Sequence, residues 1–170
     1  MLTRFFQLPE NKWFWLVFIG LGLGLDGMAL FYQYVLDYMP CVLCIHTRIW
    51  VVGMILVSLL ALAVYQSKWL LRVMQFLLLV ISVGLLDRAY QLLGVERGFI
   101  FGNCSMASGL PSWFALDEWV PALFQVWEPC GYTPELLFGV TMAEALIVLS
   151  ATLVMLNTLW FIGLFLNIKK

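Results

Sequence analysis

Pro40-Cys41-Val42-Leu43-Cys44-Ile45-His46-Thr47-Arg48 is the stretch whose reading decides the fold. Proline biases the residue before it away from helix and is tolerated at a helix opening, so a helix is expected to start here. From Leu43 to Tyr65 the chain stays apolar, with Arg48 its only fixed charge. That length is close to the roughly 20 residues needed to cross about 30 Å of hydrocarbon. Three further segments, 13–34, 69–86 and 143–166, have the same character. The 170 residues are 64% hydrophobic and 11% charged, with a mean hydropathy of +0.97. Soluble domains hold about 45–50% apolar and about 25% charged residues. A membrane protein is therefore expected, with the lipid bilayer as a partner and no nucleic acid; the net charge of −1 says little.

Backbone polar groups in lipid must be satisfied within each segment, which favours helices, and no segment alternates as a barrel strand does. The expected fold is all-α: a four-transmembrane-helix bundle, one integral domain over 1–170. Its outward loops fall at about 35–42 and 87–142, the second carrying a short interfacial helix. The first span is too long for a signal core, carries Asp26 and lacks a small-x-small cleavage pattern, so it reads as a retained anchor. Arg4, Lys12, Lys68, Arg72, Lys169 and Lys170, six of the nine basic residues, fall on one side. The positive-inside tendency assigns that side, and both termini, to the cytoplasm. All four cysteines fall on the other side, which in a bacterium-like cell is oxidising and points to two disulfides.

The turns at 35–40 and 66–68 are short, making the first three spans antiparallel neighbours. The connection at 90–142 is long, and loops of that length in a compact domain are usually functional. Within it, Leu116, Trp119, Val120 and Leu123 recur at helical spacing across 113–127. Two readings fit: a helix anchored in the headgroup region by tryptophans, or aromatic residues covering the bundle top. Pro121 would interrupt or kink such a helix.

Cys41 and Cys44 would lie in the first turn of the second span, where unpaired backbone N–H groups and the helix dipole favour a thiolate. A disulfide closing so small a loop stabilises little by chain entropy, which argues for redox work over a structural staple. Half of a zinc site is the other alternative. Only His46, Cys104 and Cys130 could complete it, and oxidising surroundings argue against it. Arg48 follows Cys44 by four residues and shares its helix face. It either serves a thiolate or a bound carbonyl compound, or snorkels to the headgroups. Cys104 and Cys130, 26 residues apart, form a staple or a shuttle disulfide for electrons from a soluble protein. Asp26 within the first span has no obvious partner, and a partnered or protonated packing role competes with a functional one. Arg88 and Gln91, at the outward end of span three, are candidates for polar contacts to a ligand.

Four spans, Pro40-Cys41-Val42-Leu43-Cys44 with Arg48, and a long second loop bearing Cys104 and Cys130 resemble the bacterial disulfide bond formation protein B (DsbB) family. So do Leu116-Asp117-Glu118-Trp119-Val120-Pro121 and Phe138-Gly139-Val140-Thr141-Met142. The resemblance covers nearly the whole chain and implies a thiol:quinone oxidoreductase of the inner membrane that supports periplasmic disulfide formation. A reduced DsbA-like thioredoxin-fold partner would attack a Cys104–Cys130 disulfide at Cys104. Cys130 would pass electrons to Cys41, and Cys44 with Arg48 would face a ubiquinone or menaquinone. DsbA–DsbB–quinone is the known relay that keeps the bacterial periplasm oxidising. Two departures stand out: Leu92-Leu93-Gly94 follows Gln91 where members carry a histidine or further polar residues. Ala143-Glu144-Ala145 stands where the family usually has Pro-x-Trp. The rivals are a membrane scaffold or transporter with purely structural disulfides, and a vitamin K epoxide reductase-like enzyme, whose Cys-x-x-Cys sits late in the bundle.

Overall fold

The computed structural model describes residues 8–100, 108–129, 135–137 and 139–166. Cys104, Cys130, Phe138, Arg4, Lys169 and Lys170, all used in the sequence argument, lie outside the described residues. Four helices long and apolar enough to cross a membrane are present: α1 (Lys12–Val35), α2 (Val42–Ala63), α3 (Lys68–Glu96) and, after the loop, α6 (Met142–Leu166). The expectation of a four-helix membrane bundle holds. Large apolar side chains such as Leu23, Val80, Val148 and Met155 are exposed on its outer faces, as a lipid solvent requires.

Helix ends follow local chemistry. Asn11 caps α1, its side chain accepting the Trp13 N–H at 3.2 Å. A capping box opens α6: Glu144 N–H donates to Thr141 Oγ1 at 3.3 Å, and Thr141 N–H to Glu144 Oε2 at 3.2 Å. α3 contains the expected third span, 69–86, and continues beyond it. The helix runs ten residues further because Leu85, Ala89 and Leu92 continue one buried stripe, with Asp87 and Arg88 off it. At 29 residues it is about 43 Å long, well beyond the hydrocarbon thickness. It stops in a Schellman arrangement: Gly98, at φ 75, donates to Val95 O, and Phe99 N–H to Gly94 O.

The single interfacial helix expected across 113–127 is instead a series of short turns. A 3₁₀ turn at Ser112–Phe114 is followed by α4 (Leu116–Trp119) and α5 (Pro121–Phe124). Val120 breaks the run at φ −135, ψ 67, and Pro121 opens its own turn. Phe124 is buried, whereas Trp113, Trp119 and Trp127 are exposed. The chain then becomes an extended strap over the opening of α2, with Trp127 N–H donating to Pro40 O at 3.1 Å and Cys41 bridged in parallel to Glu128. A small hairpin, β1 (Glu135–Leu137) antiparallel to β2 (Val140–Thr141), leads into α6.

α1 packs on α2, α2 on α3, and α3 on α6. The core includes Trp15 and Phe18 of α1, Met54 of α2, Leu78 and Leu85 of α3, and Trp160 of α6. Phe14 meets Trp160 edge-on at 4.8 Å, joining α1 to α6 at one end of the bundle. At the other end a second, smaller cluster gathers Cys41, Val42 and Leu43 with Leu92 of the α3 extension, Ala143 of α6 and Val126 of the strap.

Candidate functional site

Cys41 is the N-cap of α2, at φ −85 and ψ 169. Its sulfur takes the place that a Ser or Asp oxygen normally fills, accepting the Cys44 N–H at 3.3 Å. Cys44 lies one turn on, its sulfur 2.7 Å from that of Cys41. The two differ in surroundings. Cys41 is 3% exposed, under the strap. Cys44 is half-buried and lines a cavity of about 80 Å³ with Tyr38, Thr47, Arg48, Leu92 and Leu146. One sulfur is sealed beneath loop backbone, and the other opens on a mostly apolar hollow.

Arg48 does not snorkel; it is 7% exposed. Nη1 donates to Gln33 Oε1 at 2.6 Å and to Leu123 O at 2.9 Å, and Nη2 donates to Ala29 O at 3.2 Å. A buried guanidinium requires such partners, and its planar fork lets it reach α1 and the loop together. Nε is buried without a hydrogen-bond partner among the described residues. Arg48 also lines a second cavity, of about 140 Å³, between α1, α2 and α6. Leu25, Met28, Val51 and Leu149 make its walls apolar, and Asp26 is the other charged residue there. Thr47, Arg48, Ala29, Met142 and Leu146 border both hollows, so the two adjoin. The larger hollow has apolar walls, and the smaller one brings the Cys44 sulfur and Arg48 to a common surface.

Arg88 and Gln91 are not brought to this site. Arg88 Nη1 donates to Gln91 Oε1 at 3.2 Å, and Gln91 Nε2 to Asp87 Oδ2 at 2.9 Å. Arg88 lines a different cleft with His46, Trp50 and Leu110. His46 faces that way too, its Nε2 2.8 Å from Ser108 O. Sequence reasoning missed Gln33, which buries its side chain against Arg48. The signal was available: a polar residue seven positions after Asp26, two helical turns along the same face. It also missed the strap. No sequence signal marks that pairing, and the link from Tyr34 Oη to Ala122 O at 2.5 Å joins residues 88 apart.

The family model described as Disulfide bond formation protein DsbB matches residues 11–160. Proteins named Disulfide bond formation protein B are similar along most of their length. That of Shewanella loihica is 30% identical over 99% of this chain and 98% of its own. That of Shewanella frigidimarina is 33% identical over 84% and 85%. That of Psychromonas ingrahamii is 30% identical over 100% and 92%.

Proposed function

The chain belongs to the DsbB family of disulfide bond formation proteins, and on that premise we propose that it is a thiol:quinone oxidoreductase of the bacterial inner membrane. It reoxidises a periplasmic DsbA-like thioredoxin-fold dithiol, with its cysteines on the periplasmic side and both termini in the cytoplasm. The partner's thiolate attacks the Cys104–Cys130 disulfide at Cys104, releasing Cys130. Cys130 attacks Cys41 and releases the Cys44 sulfur toward the cavity. Resolution of the mixed disulfides restores both cysteine pairs. Per turnover the partner dithiol loses two electrons and two protons, and a quinone (ubiquinone or menaquinone), when bound, accepts both.

One observation carries this reading: the two adjacent sulfurs have different surroundings. Cys41 lies beneath the strap beside Glu128, and Cys130 follows Glu128 by two residues, a tether of at most about 7 Å. That suits exchange between loop and helix. Cys44 shares its apolar cavity with Arg48, which suits an acceptor from the lipid. The Cys44 N–H against Cys41 Sγ favours negative charge there. Arg88 would bear on a ligand only through its own cleft, and Gln91 only through its hydrogen bond to Arg88.

The test is anaerobic quinone reduction by purified protein supplied with a reduced DsbA-like partner, beside a Cys44→Ala control. Cys44-dependent quinone loss is expected. No loss with either quinone class, in folded protein with both disulfides intact, would refute the reading and favour structural staples.

A further inference from the structure

Two carboxylates border the adjoining hollows, Glu128 on the Cys44 side and Asp26 on the other, and the relay above gives Asp26 no task. It sits mid-way along α1 and lines the larger cavity opposite Arg48. Among the described residues no ion pair joins the two, and the Arg48 Nη atoms are committed to Gln33, Ala29 and Leu123. From α6 the cavity receives only apolar side chains, among them Leu146 and Leu149. From α2 it receives Arg48, Thr47 and Val51. A carboxylate among apolar walls without a direct ion pair is costly, and such residues mark proton or substrate paths. The hollow it borders adjoins the one that holds Cys44.

We propose that Asp26 is the proton donor to a carbonyl oxygen of the quinone reduced at Cys44, held across the same cavity from Arg48. The inference rests on the thiol:quinone reading and adds a residue to it. The chemistry balances without Asp26 as a net reactant. Two S–H bonds of the dithiol break and one S–S bond forms. Two electrons and two protons convert the quinone to the quinol. Asp26 gives one proton to the oxygen and regains one of those the thiols release. Thr47 borders both hollows, and its hydroxyl donates to Cys44 O at 2.7 Å.

The test uses full-length protein and a short-chain ubiquinone. With Cys41–Cys44 oxidised, so that no turnover occurs, the infrared carboxylic C=O band lost in Asp26→Asn should shift when the quinone is added. Quinone affinity in D26N should stay within about threefold of wild type, while quinol formation falls about a hundredfold, the scale of one lost general acid. Asp26→Glu, which keeps the acid, should recover most of the rate and guards against a folding defect. Wild-type turnover by D26N, a band that ignores quinone, or loss of quinone binding in D26N would each overturn the donor role. Failure of wild-type turnover would sink the oxidase reading and the donor role with it, whereas normal wild-type turnover that D26N matches would overturn the donor role alone.

Discussion

Arg48 ties α2 to Gln33 and Ala29 on α1 and to Leu123 in the loop, from a position beside the Cys44 sulfur. Its replacement should therefore be felt twice. Arg48→His is expected to raise the quinone KM about tenfold or more, the worth of one charge-assisted hydrogen bond. It should also cost about 1–3 kcal/mol of stability, because Gln33 Oε1 and two backbone carbonyls lose their donor. Quinone titrations and thermal unfolding in detergent check the two effects separately. Unchanged quinone kinetics would remove Arg48 from the site. Part of this was legible from sequence, which left a role at the site and snorkelling to the headgroups both open. Cys44 and Arg48 at i and i+4 announce a shared face, and a buried arginine announces partners. Which partners it takes was not legible, because Leu123 is 75 residues away.

α6 departs from the Pro-x-Trp that the family resemblance implies and opens by another device. In place of Pro-x-Trp, Thr141 and Glu144 form a capping box, and Glu144 is also ion-paired with Arg97 at the end of α3. One residue thus helps open α6 and joins the two elements that flank the long loop. Thr141→Ala is expected to cost about 1 kcal/mol, read as a lower unfolding midpoint. α3 has a tighter constraint at Gly84, where an added Cβ would meet the Trp50 ring at 2.6 Å. Gly84→Ala should destabilise by about 1–3 kcal/mol, since a packed indole cannot yield cheaply. A variant as stable as wild type would mean that α2 and α3 pack less closely there. Neither contact could be read in the sequence, where Gly84 is one small residue in an apolar run.

Across the whole molecule, helix pairing within lipid needs more than apolar surface, since lipid tails match it. α3 and α6 supply a buried polar link. Gln75 Nε2 donates to Asn157 Oδ1 at 2.9 Å, and Asn157 Nδ2 to Ser82 Oγ at 3.1 Å. Asn157→Leu should cost about 1–2 kcal/mol, measured by unfolding in detergent. Topology is open to direct test by thiol labelling in intact cells, in a cysteine-free background. Glu128→Cys should react with an impermeant reagent and Ser67→Cys should not; the reverse pattern would invert the orientation. The sequence by itself determined the four spans, their sidedness as an expectation and the cysteine pair at the head of α2. Lipid imposes conditions of length, polarity and flanking charge that act locally and leave their mark on consecutive residues. Only the tertiary structure decided that α1 and α6, joined at Phe14 and Trp160, leave a cavity towards Asp26 and Arg48. It alone laid the strap over Cys41 while leaving Cys44 on the hollow. Those features arise from contacts between residues far apart in the chain, which no local pattern encodes.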